Sequence, residues 1–173
     1  MILRPATPQD ASALGQVHVQ ARRETYPGIM PANVLAALDP QECAAMWRDV
    51  IAAGKIVLLA QDDAGALLGF ANAGPQREPA VLPQAAEINA IYLLQAAKRQ
   101  GFGRALMRAT AQALLARGLG SASLWVLDGN TGADRFYAAL GGRVALRRAF
   151  PEPAEWPGTE TAYAWDDLTP LAG

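Results

Sequence analysis

Cysteine and histidine are almost absent from this chain, which carries one of each, Cys43 and His18. A single thiol cannot close an internal disulfide. One thiol with one imidazole leaves only carboxylates as further metal ligands, so a zinc site and a Cys/His nucleophilic pair are both disfavoured. Lysine is scarce too: 13 of the 15 basic residues are arginine, first a mark of genome composition. Against 16 acidic residues they leave a formal charge of −1, without the basic excess that nucleic-acid binders use to neutralise phosphates. No apolar run approaches the roughly 18 to 20 residues that cross a bilayer, and the opening MILRPATPQD lacks the apolar core of a signal peptide. These absences point to a soluble, cytoplasmic protein with no membrane, nucleic-acid or metal partner. The length of 173 residues fits one domain over 1–173.

What is there reads as alternating strands and helices. Ile2 to Arg4 predicts a first strand; Thr7, Pro8 and Asp10 then carry the signals of a helix start, and Leu14, Val17 and Ala21 share a helical face to about Arg23. Pro31 to Leu38 and Pro40 to Ala53 predict two more helical pieces, the second ended by Gly54. Lys55 to Gln61 and Ala66 to Ala73 flank the turn Asp62 to Gly65 and predict a hairpin. A proline-rich loop fills 74 to 85, and the mostly apolar Ala86 to Leu94 predicts a strand buried on both faces. Helices follow over Gly103 to Arg117 and Thr131 to Leu140, with strands over Ser121 to Leu127, Val144 to Phe150 and Thr161 to Trp165; the loop PEPAEWPG separates the last two. The order describes a mixed α/β domain with sequential antiparallel strands on its N-terminal side.

The stretch Lys98, Arg99, Gln100, Gly101, Phe102, Gly103 lies between a strand and a helix. Two glycines let the backbone turn tightly, the first helical turn offers unpaired N–H groups, and Arg99 and Arg104 add cationic reach, which together suit a phosphate or pyrophosphate. A Walker loop would need Gly, Lys and Ser/Thr in succession, and none occurs; a dinucleotide fingerprint would need a third glycine where Leu106 stands. The stretch resembles instead the acyl-CoA loop of the GNAT superfamily, the Gcn5-related N-acetyltransferases, with the pattern Gln/Arg-x-x-Gly-x-Gly/Ala; Lys98 in the first place is a departure. The run NTGADRFYAALGGR also resembles a later motif of that family, at Asn130, Ala133, Phe136, Tyr137, Leu140 and Gly141. The likeness covers essentially the whole chain and is most specific over 87 to 142.

That resemblance implies a GNAT fold, a mixed, largely antiparallel central sheet of about seven strands flanked by about four helices. It implies acetyl-CoA as cosubstrate, no metal, and direct transfer in a ternary complex to the primary amine of a small molecule or peptide; it is compatible with a homodimer. The rival reading is a non-catalytic acyl-CoA-binding or sensing module. Backbone groups of Ile91, Tyr92 and Leu93 would pair with the pantetheine arm, with the Leu93 N–H at the thioester oxygen. Lys98, Arg99, Gln100, Gly101, Phe102, Gly103 and Arg104 would hold the diphosphate, and Asn130 would bond the pantetheine or diphosphate region or simply cap its helix. Tyr137 would be the acid for the departing thiolate and Glu87 the base for the amine, as a Glu at that distance is in several histone-modifying members. Asn89, read as facing the same side as Glu87, and Tyr26, whose backbone Pro27 and Gly28 constrain, would help hold the acceptor. His18 reads as a boundary histidine, Arg22, Arg23 and Glu24 as a solvated helix end, Trp156 as a loop aromatic within reach of the acceptor, and Cys43 as a buried small residue.

Overall fold

The computed structural model describes residues 1–151 and 154–173; the loop reading at Glu152 and Pro153 lies outside the described residues. β1 (Ile2–Pro5) passes through a 3₁₀ turn (Pro8–Asp10) into α1 (Ala11–Thr25). The Asp10 carboxylate holds that turn, accepting from the Thr7 N–H at 2.7 Å and pairing with Arg4 at 2.7 Å. After α2 (Ala32–Ala37) and α3 (Pro40–Ala52) come the antiparallel strands β2 (Ile56–Gln61), β3 (Leu67–Pro75) and β4 (Ala86–Leu93). A 3₁₀ turn (Gln95–Ala97) leads to α4 (Phe102–Leu115), then β5 (Ala122–Leu127), α5 (Thr131–Ala139), β6 (Arg143–Ala149) and β7 (Thr159–Trp165). The chain closes on α6 (Thr169–Ala172), a turn not foreseen from the sequence. It forms because Leu168 and Ala172 are buried, and Arg108 and Gln112 of α4 donate to the Ala172 carbonyl at 2.9 and 3.0 Å.

The seven strands form one sheet in the order β1-β2-β3-β4-β5-β7-β6. Every neighbour pair is antiparallel except β4 and β5. That parallel pair needs a crossover, and α4 supplies it. α1 and α3 cover one face over Leu14, Trp47, Leu59 and Phe70. α4 and α5 cover the other over Met107, Leu114, Leu124 and Tyr137.

Two irregularities in β4 position everything that follows. Asn72 of β3 lies opposite Ala90, and Ala73 opposite Ile88, so Asn89 is an extra residue in β4. Such a bulge reverses the alternation of faces: Ile88 packs toward α4, whereas Ala90 and Tyr92 pack toward α1 and α3. Second, β4 pairs with β5 only at Ala86 with Ala122 and Glu87 with Ser123, and beyond them the strands part. The expectation of a strand buried on both faces therefore holds for Ala86 to Ile88 only; Asn89 is exposed, and Ala90 to Leu93 are half-buried because they border the gap.

Candidate active site

The gap leaves one edge of β4 without a partner strand. The Leu94 N–H donates to the Leu68 carbonyl across β3. In an antiparallel ladder alternate residues then share that direction, so Ala90 and Tyr92 turn their backbone groups to β3, and Ile91 and Leu93 turn theirs toward the gap. Tyr92 thus offers a side chain there, and its backbone is committed to Phe70.

A cavity of about 970 Å³ runs from this edge to the start of α4 and along α5. Lys98, Arg99, Arg104 and Arg135 line it and no carboxylate does, which gives a chain of net charge −1 a strongly cationic recess. Its floor is backbone. Arg99 is, among the described residues, the one non-glycine with positive φ, at 61°, and Gly101 follows at 88° as the N-cap of α4. The N–H groups of residues 99 to 104 donate to no carbonyl in the described backbone network; left-handed turns of this kind make such groups converge on an anion. Gly103 has a different reason: a Cβ there would stand 3.1 Å from the Phe136 ring, so this glycine lets α5 close against α4. The Gln100 and Phe102 side chains do not line the cavity, so what these two residues offer an anion is their backbone N–H groups. The Gln100 amide donates to the Ala96 carbonyl, and the Phe102 ring packs in the core with Leu106 and Ala71.

Asn130 combines both of its expected positions: its Oδ1 accepts from the Ala133 N–H at 3.2 Å, capping α5, and the residue lines the cavity. Tyr137 is buried among Phe136, Tyr163 and Trp165, lines the same cavity, and makes no hydroxyl hydrogen bond among the described residues. Burial, reinforced by Tyr92, pushes its phenol well above the ordinary tyrosine range. Burial likewise raises the Tyr26 phenol, which lies 3.4 Å from the Tyr92 hydroxyl.

On the other side of the sheet a second cavity, about 410 Å³, is walled by Arg22, Arg77, Trp125, Arg148, Trp156 and Glu160, among others. Tyr26, Asn89, Tyr92 and Trp125 line both cavities and form their junction. Arg148 lies 3.9 Å from the Trp125 ring centroid and pairs with Glu78 and Glu160 at 2.7 and 2.8 Å.

Glu87 and Asn89, expected on one side, are separated by the geometry of β4. Asn89 is the bulged residue at the junction, while Glu87 is 2% exposed and lines neither cavity. Both Glu87 oxygens accept from the Arg77 guanidinium, one from Nε at 3.0 Å and the other from a terminal nitrogen. His18 is likewise off both walls, stacked near Tyr92 with its Nδ1 accepting from Trp47 Nε1 at 3.3 Å; burial, then Arg22, lowers its pKa to about 4, so it is neutral at pH 7. Cys43 packs beneath α1, where burial pushes its thiol up.

Sequence reasoning missed Arg77, Trp125 and Arg148, and took Arg22 for a solvated helix end. They come from a loop, β5, β6 and α1 and meet only in the folded chain. One local signal existed: Asn89 is the one amide inside a mostly apolar run, as a bulge at a site would have it.

Two cavities meet through a parted sheet, one of them cationic and floored by backbone donors, an arrangement with room for two ligands side by side. Comparison with known proteins gives the class. The model of the acetyltransferase (GNAT) family matches residues 21–141, and the chain belongs to that family; it is an N-acetyltransferase. It is 35% identical over 169 residues, 98% of this chain and 95% of the relative, to the uncharacterized N-acetyltransferase YuaI of Bacillus subtilis (strain 168). Its fold is similar to a ribosomal-protein-alanine N-acetyltransferase from Brucella melitensis (TM-score 0.74, 19% identity, 95% of this chain and 99% of that one). It is also similar to the paia N-acetyltransferase from Thermoplasma acidophilum in complex with coenzyme A (TM-score 0.72, 17% identity, 95% and 98%). Among the described residues no helix is long and apolar enough to cross a membrane, and no group of three or more His, Cys, Asp or Glu could hold a metal.

Proposed function

We propose that the protein moves the acetyl group of acetyl-CoA directly to the primary amine of a small molecule or peptide, both substrates being bound at once. The observation that carries this reading is the parting of β4 from β5 beyond Glu87, which opens the two cavities onto one junction. The larger cavity fits coenzyme A. Its four cations and its free N–H groups at 99 to 104 suit the phosphates, and the open edge at Ile91 and Leu93 suits an amide-bearing arm laid down like another strand. Acetyl-CoA supplies a thioester-activated acyl group; the rest falls to the chain.

The Leu93 N–H donates to the thioester oxygen as it gains charge. An alkyl amine, with a reference pKa near 10.4, must lose a proton before it attacks. Among the described residues no carboxylate or imidazole lines the junction, and Glu87 is engaged by Arg77, so that proton leaves to water beside Asn89. The neutral amine adds to the thioester carbon, the C–S bond breaks as the carbonyl re-forms, the new amide nitrogen sheds its extra proton to water, and the sulfur takes a hydrogen bond from the Tyr137 hydroxyl. With its pKa raised, that phenol is a weaker acid than a thiol of about 8.5. Tyr137 therefore keeps its proton and acts as a charge-stabilising donor, and the thiolate is protonated through water. Cys43 lies away from both cavities, in keeping with a path that has no acyl-enzyme.

Incubating the protein with acetyl-CoA and a panel of small amines and short peptides, while following free thiol, should show amine-dependent release. Acetyl-CoA binding by calorimetry without amine-dependent release across the panel would make the protein a binding module. An acetylated Cys43 on the reaction path would overturn direct transfer.

A further inference from the structure

Among the described residues the charges around the acceptor cavity do not balance. Three guanidinium groups line it, from Arg22, Arg77 and Arg148. Two are neutralised: Arg77 by Glu87, and Arg148 by Glu78 and Glu160. Arg22 is not. No carboxylate lies within ion-pair distance of it among the described residues. Its Nε is buried with no hydrogen-bond partner, and a terminal nitrogen makes only a weak contact to Met30 Sδ at 3.7 Å. A part-buried guanidinium without a carboxylate is costly to keep; its Nε is closed off from solvent, so what Arg22 offers the cavity it lines is the rest of the guanidinium.

We propose that Arg22 anchors a carboxylate carried by the acceptor, so that the amines acetylated here are amino acids or similarly sized amino carboxylates. The inference rests on the acceptor reading of this cavity. A planar guanidinium fork can take a carboxylate bidentately, and a carboxylate is the anion that amino-acid amines carry. The volume of about 410 Å³ suits a molecule of amino-acid dimensions, and the rings of Tyr26, Trp125, Phe150 and Trp156 offer an apolar wall for its side chain. With the carboxylate held at Arg22, the amine has the junction at Asn89 and Tyr92 to reach. Polyamines and simple diamines are the wrong class, because a second ammonium would face a guanidinium without a carboxylate partner instead of an acid; Glu160, the one carboxylate on the wall among the described residues, is already taken by Arg148.

The test uses acceptor pairs on one skeleton, phenylalanine with phenylalaninamide and leucine with leucinamide. Calorimetry measures their binding to the CoA-saturated protein, and thiol release with acetyl-CoA is followed in parallel. Each acid is expected to bind wild-type protein about tenfold to a hundredfold more tightly than its amide, the worth of a charge-assisted pair. Arg22→Gln should bring acid and amide within about threefold, and Arg22→Lys, which keeps the charge without the fork, should restore part of the difference. Equal binding of acid and amide to wild type overturns the proposal. So does a preference that survives Arg22→Gln, or failure of a wider set of α-, β- and γ-amino acids to bind at all. Acid-selective binding without thiol release would leave the anchor standing and remove the acetyl-transfer reading. Release from both members of each pair without preference would do the reverse. Should Arg22→Gln fail to fold, the wild-type pairs and Arg22→Lys still decide.

Discussion

The larger cavity takes its cations from one stretch of chain, Lys98 to Arg135, and its floor from consecutive backbone N–H groups. The smaller one collects Arg22 from α1, Arg77 from the loop after β3, Trp125 from β5 and Arg148 from β6. Phosphates and a pantetheine arm are the same for every acyl-CoA, so a local motif that shapes backbone is enough to hold them. An acceptor varies, and its cavity is assembled from side chains that can change one at a time without touching the backbone on the other side. On the proposed reading the cofactor half rests on a local backbone motif and the acceptor half on dispersed side chains, with Tyr26, Asn89, Tyr92 and Trp125 as their common wall.

The strongest break in that division should come near the junction. Tyr137→Phe keeps the ring among Phe136, Tyr163 and Trp165 and removes only the hydroxyl, so turnover should fall about a hundredfold with acetyl-CoA affinity unchanged. Wild-type turnover in a regime where chemistry limits the rate would remove Tyr137 from the reaction. Gly101→Val should act on the cofactor half alone. A Cβ there meets only the Met1 side-chain methyl, at 4.0 Å, yet φ is 88°, so a β-branched residue must pull the loop away. Acetyl-CoA affinity by calorimetry should drop about tenfold or more, with the acceptor KM at saturating acetyl-CoA unchanged; intact affinity would unseat the phosphate loop. Glu87→Gln should have the smallest effect on the reaction. In wild type and variant alike, kcat/KM should rise as pH approaches the acceptor amine's own pKa and level off above it, because the neutral amine is the nucleophile. Stability to denaturant should fall by about 1 to 3 kcal/mol as a buried charged contact to Arg77 is lost. A displaced pH profile would return the carboxylate to the proton path.

The same division explains what could be read before folding. Strand and helix order is set by neighbours within a few turns, and apart from α6 the structure places the elements in the order the periodicity predicts. The bulge at Asn89 was out of reach as geometry, because one added residue leaves the composition of AEINAIYLL unchanged and reverses the faces of all that follows. Glu87 therefore looked like a partner of Asn89. The acceptor wall was least legible: Arg148 meets Glu78 across 70 positions of sequence, and nothing local to either residue announces the other.

The short seam at Ala86 to Glu87 and Ala122 to Ser123 is all that laces β4 to β5. Mechanically the sheet is two plates riveted at one end. A ligand that beds along the free edge of Ile91 and Leu93 becomes a cross-member, raising resistance to unfolding with concentration as RT ln(1 + [L]/Kd) and slowing amide exchange on both banks of the split. Without it, the molecule carries a naked strand edge in its middle, sheltered from other chains only because the opening faces a recess and not the rim of the sheet.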